Sequence, residues 1–124
     1  MAHILVIDDD EQVRRLLSII LKKEGHQVTL AANGKEGLKT AKASCPDLVI
    51  TDILMPEVEG LETIRLLKEI YSELPIIAIT GGGRIGADVC LMTAKKFGAC
   101  KTFQKPVPKD ELFAAIEEIV GHPE

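Results

Sequence analysis

Short strand-like runs alternate with amphipathic helical segments along the whole chain, and this alternation constrains the fold more than any other feature. The strand-like runs cover residues 4–7, 27–31, 48–51, 76–79 and 101–104, and the helical segments cover residues 11–24, 34–43, 61–71, 87–97 and 109–120. Unbroken apolar runs such as 4–7 are typical of strands buried on both faces. Strands that alternate with helices form right-handed crossovers and a parallel sheet. The sequence therefore predicts an α/β fold, a doubly wound parallel sheet covered by helices on both faces.

The helical segments carry their apolar residues at intervals of three and four, which predicts one buried face on each helix. The residues expected to face the sheet are Val13, Leu16, Leu17, Ile20 and Leu21 in the first helix and Leu61, Ile64, Leu67 and Ile70 in the third. Asp10 is placed to cap the first helix, because its side chain can accept the free N–H groups there. Gly25 is placed to end that helix.

Length and linker composition favour one domain. A chain of 124 residues is of ordinary single-domain size, and no Ser/Gly/Pro-rich linker interrupts it. We therefore expect residues 1–124 to form a single domain with no output domain attached.

Charge, hydropathy and cysteine content exclude several classes of partner. The net charge of −4 disfavours a chain that binds nucleic acid by neutralising phosphates. No apolar run approaches the roughly 20 residues that span a bilayer. The three cysteines, Cys45, Cys90 and Cys100, are odd in number and lack metal-type spacing, as expected of free thiols in a reducing cytoplasm. We expect a cytoplasmic protein without a membrane or nucleic-acid partner.

Four of the five predicted strands end in polar side chains. Asp8, Asp9 and Asp10 follow the first strand, and the third, fourth and fifth are followed by Asp52, Thr80 and Lys105. In an open α/β sheet, ligands bind beyond the carboxyl ends of the strands, where the strand order reverses. These side chains are therefore predicted to meet in one site.

The chemistry of that set points to phosphoryl transfer. Carboxylates that converge repel each other, and Mg²⁺ with its preference for oxygen ligands relieves the repulsion. Asp52 is the best nucleophile candidate, because Asp carboxylates form aspartyl phosphates. Thr80 can donate a hydrogen bond and Lys105 a positive charge to a phosphoryl group. Each residue taken singly has an ordinary explanation as a turn, cap or surface residue, and for Asp10 a capping role is favoured.

Four ordered motifs resemble the receiver domain of two-component response regulators, in particular its single-domain, chemotaxis-regulator-like members. The motifs are residues 4–10, residues 47–56 with Gly60 downstream, the pair Ile79-Thr80 and the pair Lys105-Pro106. The resemblance covers the whole chain. It implies a flavodoxin-like fold with strand order 2-1-3-4-5.

The resemblance also implies roles for single residues. Asp52 would accept a phosphoryl group from the phosphohistidine of a sensor histidine kinase or histidine phosphotransfer protein, and the domain would be a signalling switch, not an enzyme. The implied Mg²⁺ ligands are Asp9 and Asp52 directly, Asp8 largely through water, and the backbone carbonyl of Leu54. Thr80 and Lys105 would bind the phosphoryl group, and the bond between Lys105 and Pro106 is expected to be cis.

Two sequence features bear on how such a domain would pass its signal to a partner and dock its kinase. Receiver domains often carry Tyr or Phe three residues before the Lys, as a rotamer switch coupled to the Thr. Here that position is Thr102, with Phe103 next to it, so the signal is expected to leave by another route. Arg14 and Arg15, near the start of the first helix, form a candidate kinase-docking face, with simple solvation as the alternative.

Two other functions stay open on the sequence. Asp8-x-Asp10 after the first strand resembles the nucleophile motif of haloacid-dehalogenase-like phosphatases, although Gln12 stands where Thr or Val is expected. A receiver-like interaction module that accepts no phosphate is the second alternative.

Overall fold

The computed structural model describes residues 2–53, 59–81 and 87–120, with only the backbone described for Glu59 and residues 87–91. The elements follow the chain as β1 (His3–Ile7), α1 (Glu11–Lys23), β2 (Gln27–Ala31), α2 (Gly34–Ala43), β3 (Leu48–Asp52), α3 (Glu59–Ile70), β4 (Ile76–Gly81), α4 (Ala87–Phe97), β5 (Lys101–Lys105) and α5 (Lys109–Val120). Every predicted strand and helix is present, so the alternation in the sequence is confirmed as a βα repeat.

The strands form one parallel sheet in the order β2-β1-β3-β4-β5. The chain moves from β1 to β2 in one direction and then crosses back to place β3 on the other side of β1. The strand order therefore reverses between β1 and β3. Open α/β sheets bind ligands at the carboxyl end of such a reversal.

Successive residues of each strand point to opposite faces of the sheet and enter two separate apolar layers. In β1, Leu5 and Ile7 pack in the layer that includes residues of α2, α3 and α4. Ile4 and Val6 pack in the layer that includes residues of α1 and α5. Both faces of the strand are thus covered, which is why residues 4–7 are apolar without interruption.

Two of the residues predicted to face the sheet do not do so. Leu16 is 59% exposed and Ile70 is 44% exposed. In α1 the buried face centres on Leu17 and Leu21, and in α3 Leu67 is fully buried one turn before Ile70. The apolar arc on each helix is wider than the contact between a cylinder and a sheet, so residues at its margin stay in solvent.

The predicted ends of α1 are confirmed. Asp10 is the N-cap, and its Oδ1 accepts the backbone N–H of Gln12 at 2.9 Å. Gly25 follows the helix with a φ of 90°, a left-handed conformation that Gly adopts without strain. The β1–α1 connection thus has a defined path, with Asp8 and Asp9 between the strand and the cap.

Within the part of the chain that the structure describes, none of the helices combines the length and apolar character needed to cross a bilayer.

Candidate functional site

Three of the predicted site residues lie inside their strands instead of just after them. β3 extends to Asp52, β4 passes Thr80 to end at Gly81, and β5 extends to Lys105. Asp52 is the register partner of Ile79, and Lys105 is the partner of Gly81. The parallel ladder therefore continues through these positions and holds their backbones at the carboxyl edge of the sheet.

Asp8 is a fully buried carboxyl group at this edge. Its backbone N–H donates to the carbonyl of Ala31 in β2 at 3.1 Å, and its Oδ1 accepts the N–H of Asp10 at 2.9 Å. Burial raises the pKa of Asp8 above its usual value and the negative charge of Asp52 adds to the rise, while the Asp10 N–H and Lys105 act in the opposite direction. The site thus holds a carboxylate whose charged form is costly without a further cation.

Lys105 lies between two acids from different strands. Its Nζ is 3.0 Å from Oδ2 of Asp8 and 3.2 Å from Oδ2 of Asp52, to which it donates a hydrogen bond. Burial acts to lower the pKa of Lys105, but the two carboxylates outweigh it and the pKa is raised. The ammonium group therefore stays charged and joins β3, β5 and the turn after β1.

The acids predicted to bind a metal are brought together. One carboxylate oxygen from each of Asp8, Asp9 and Asp52 lies within 4.8 Å of the others. Asp8 and Asp52 are buried and Asp9 is exposed, so the cluster opens to solvent on the side of Asp9. Three hard oxygen donors with an open side suit Mg²⁺, which keeps several of its waters.

Thr80 contributes a buried hydroxyl at the same edge of the sheet. It lies in β4 one residue beyond Ile79, the register partner of Asp52, and is fully buried. Its Oγ1 has no hydrogen-bond partner among the described residues. A buried hydroxyl without a partner is costly, and it can be retained where a ligand supplies the partner.

The remaining predicted residues are placed as follows. The peptide bond between Lys105 and Pro106 is cis. Leu54, whose carbonyl the resemblance assigns to the metal, lies outside the described residues. Asp10 is not part of the acid cluster and serves as the N-cap of α1.

Sequence reasoning missed the role of Arg14 in the local structure. Its guanidinium donates to the backbone carbonyl of Asp8 at 2.6 Å and so connects α1 to the end of β1. The sequence holds a signal for this contact, because a long basic side chain six residues after Asp8 lies within reach of the strand end. A solvated arginine has the same spacing, so only the structure distinguishes them.

The aromatic residue beside Thr102 cannot contact Thr80 in the way a rotamer switch would. Phe103 is the register partner of Ile79, and both pack in the layer of α1 and α5. Thr80 follows Ile79 and therefore points to the opposite face of the sheet. Thr102 pairs with Ala78, which packs in the layer of α2, α3 and α4. On the face to which Thr80 points, β5 therefore carries the small polar residue Thr102 in place of an aromatic one.

Comparison with known proteins gives a consistent result. The family model for the response regulator receiver domain matches residues 4–117. Sporulation initiation phosphotransferase F of Bacillus subtilis is 33% identical, over 93% of this chain and 90% of that protein. A solved response regulator receiver domain protein from Clostridium thermocellum has a TM-score of 0.87 and 34% identity, covering 97% of this chain and 94% of that one.

Other relatives are longer than this chain. The transcriptional regulatory protein GlrR of Escherichia coli is 35% identical over 94% of this chain but only 26% of its own length. The chain thus spans about a quarter of that relative and 49% of the regulator YkoG of Bacillus subtilis. These matches separate the chain from the haloacid-dehalogenase-like phosphatases. With its flavodoxin-like fold and strand order 2-1-3-4-5, the chain belongs to the family of receiver domains of two-component response regulators.

Proposed function

We propose that this domain is a Mg²⁺-dependent phosphoacceptor that is phosphorylated on Asp52 by a sensor histidine kinase or a histidine phosphotransfer protein. The observation that carries the proposal is the position of Lys105, whose Nζ lies within 3.2 Å of carboxylate oxygens of both Asp8 and Asp52. A phosphoryl group formed on Asp52 would arrive beside a fixed positive charge. Such a preorganised charge stabilises a transferring phosphoryl group.

The acid cluster fits the divalent cation that this function needs. Asp8, Asp9 and Asp52 offer oxygen ligands within 4.8 Å of one another, and the backbone carbonyl of Leu54 would complete the set. Because these carboxylates repel each other, a small divalent cation bound among them would relieve the repulsion. When bound, Mg²⁺ would neutralise negative charge on both the acids and the phosphoryl oxygens.

The transfer itself uses the side chains of β3, β4 and β5. A carboxylate oxygen of Asp52 forms a bond to phosphorus while the P–N bond of the donor phosphohistidine breaks. The imidazole nitrogen keeps the electron pair of that bond, and the ring, protonated at its other nitrogen, leaves as neutral histidine. Lys105 would exchange its contact with Asp52 for a phosphoryl oxygen, and the Thr80 hydroxyl would donate to another. Since the product stays on Asp52, the domain would be modified once and would not turn over as an enzyme.

The exposed cysteines bear on the cellular compartment. Cys45 and Cys100 are free and exposed, as suits a reducing cytoplasm. We propose that the domain works there, where the phosphorylating kinase domains would meet it. Cell fractionation with an antibody against the chain would test this directly.

The phosphoacceptor is tested with acetyl phosphate and MgCl₂, read by intact mass. We expect the wild type to gain one phosphoryl group, Asp52→Asn to gain none, and Asp110→Asn, which changes an exposed acid on α5, to behave as the wild type. Equal labelling of Asp52→Asn would show that the nucleophile is another residue. No labelling of the wild type would favour the interaction module that accepts no phosphate.

A further inference from the structure

The two consecutive arginines of α1 have different environments. Arg15 forms an ion pair with Glu11 at 3.2 Å, and both side chains are 73% exposed. Arg14 is half-buried and donates from its guanidinium to the backbone carbonyl of Asp8 at 2.6 Å. An exposed ion pair within a helix contributes little, whereas a short charge-assisted hydrogen bond to a buried segment is a strong one. Of these two arginines, Arg14 is therefore the one that holds the segment carrying Asp8.

Arg14 completes a set of hydrogen bonds that holds the turn from β1 to α1. The Asp8 side chain accepts the N–H of Asp10 at 2.9 Å, and the Asp10 side chain accepts the N–H of Gln12 at 2.9 Å. The backbone N–H of Arg14 donates to the carbonyl of Asp10 at 3.1 Å, while its guanidinium reaches back to Asp8. The turn is thus held by side chains within it and by one side chain from the helix.

We propose that Arg14 is a positioning residue that fixes the turn carrying Asp8 and Asp9 and thereby sets the affinity of the acid cluster for Mg²⁺. The inference rests on the proposed function, since it assumes that these acids bind the cation. Mg²⁺ requires near-ideal ligand geometry, and residues that orient its ligands typically change metal affinity about 10–100-fold when they are lost.

Electrostatics alone predicts the opposite sign. The guanidinium carries a positive charge next to the acids, so its removal would strengthen their attraction for a divalent cation. Loss of the tether would instead leave a turn that has to be ordered on binding, at a cost in conformational entropy. The positioning role therefore predicts weaker Mg²⁺ binding, and a simple charge effect predicts tighter binding.

The experiment compares Arg14→Met, Arg14→Lys and Arg15→Met in the full chain, with Mg²⁺ affinity read from the backbone amide shifts of Asp8, Asp9 and Asp10 during a MgCl₂ titration. Arg14→Met keeps the aliphatic stem and loses every donor, and we expect its Kd for Mg²⁺ to rise about tenfold. Arg14→Lys keeps one donor group and recovers part of the loss. Arg15→Met stays within about twofold of the wild type, since its pair with Glu11 lies in solvent. Thermal unfolding without Mg²⁺ controls for the fold.

An Arg14→Met protein that binds Mg²⁺ as tightly as the wild type, or more tightly, would overturn the positioning role. If Arg14→Met does not fold, Arg14→Gln is judged by the same criterion. A wild type that itself binds no Mg²⁺ would overturn the proposed function together with this inference. Normal Mg²⁺ binding by the wild type with unchanged binding by the variant overturns the inference alone.

Discussion

The interior of the sheet and its carboxyl edge are formed by the same strands, but their side chains are held by different interactions. In the interior, Ile7, Ile50 and Ile79 are fully buried among other apolar side chains, and their burial stabilises the fold. At the edge, Asp8 and Asp52 are buried almost as completely, although burial of a charge is costly. The apolar interior therefore stabilises the fold, whereas the carboxyl edge holds buried charged side chains that lower stability and are available for chemistry.

The largest expected difference lies within β3, between two buried residues. Ile50→Ala removes apolar volume from the interior and should lower the free energy of unfolding by about 2–5 kcal/mol. Asp52→Asn should cost less in metal-free buffer, because Lys105 keeps its contact with Asp8 and the removed repulsion between Asp8 and Asp52 offsets the lost contact with Lys105. Urea denaturation of both variants measures this. A loss of more than about 2 kcal/mol in Asp52→Asn would break the comparison.

Gly60, beside the carboxyl edge, and Gly37, beside the interior, should differ in how much stability an alanine costs. A Cβ at Gly60 would collide with the backbone of Asp52 and Ile53, which cannot move aside. Gly60→Ala should therefore destabilise the domain by about 3 kcal/mol and lower phosphorylation of Asp52. A Cβ at Gly37 meets Cδ1 and Cγ1 of the Ile7 side chain and no backbone atom. Because the higher helix propensity of Ala also offsets about 1 kcal/mol, Gly37→Ala should cost less stability than Gly60→Ala.

Denaturation curves of the two alanine variants test whether the backbone at the edge is the more rigid region. Similar destabilisation at both positions would show that the edge adapts as readily as the interior.

A pH series isolates the cost of the buried carboxyl group. Burial raises the pKa of Asp8 above 3.8, so the folded chain binds its proton more tightly than the unfolded chain. Between the usual and the raised pKa the folded state holds more protons, and stability therefore rises as the pH falls. Relative to Asp8→Asn, the wild type should gain stability as the pH falls through the raised pKa of Asp8 toward 3.8 in metal-free buffer. Chemical denaturation across this range measures the difference, and a constant difference would contradict the assignment.

Two buried threonines provide the smallest test. Thr51 Oγ1 donates to the carbonyl of Asp52 at 3.1 Å, so Thr51→Val should cost about 1 kcal/mol. Thr80 Oγ1 has no partner among the residues described, so Thr80→Val should be neutral or stabilising by about 1 kcal/mol while it weakens retention of the phosphoryl group. Thermal unfolding of Thr51→Val and Thr80→Val measures the difference in stability between the two variants. Equal losses in stability would mean that Thr80 is satisfied in the folded domain.

Much of the fold, and the position of the candidate site residues at one edge of the sheet, follow from the sequence for physical reasons. Strands buried on both faces must be mainly apolar, so the runs 4–7 and 48–50 predict buried strands. A polar residue at the end of such a run, such as Asp52, marks the carboxyl edge of the sheet. Parallel topology then brings strand ends to one edge. The same logic placed Thr80 and Lys105 correctly at that edge.

The contacts within the site could not be derived in this way. That Lys105 bridges Asp8 and Asp52 depends on the register of β5, which local sequence does not encode. Leu16 looks like an interior residue by spacing but is 59% exposed, because the helix orientation on the sheet sets which margin is covered. The contact of Arg14 likewise depends on the angle at which α1 leaves the strand end.

The position of Lys105 on the outermost strand has a mechanical consequence. In the described sheet β5 is bonded to β4 alone, whereas β3, which carries Asp52, is bonded on both sides. A shift of Lys105 along the strand axis therefore strains one ladder of hydrogen bonds, while the same shift of Asp52 strains two. The sheet therefore resists a displacement of the acid more than one of the cation, and a displacement of Lys105 would reach α5 through the short connection that follows β5.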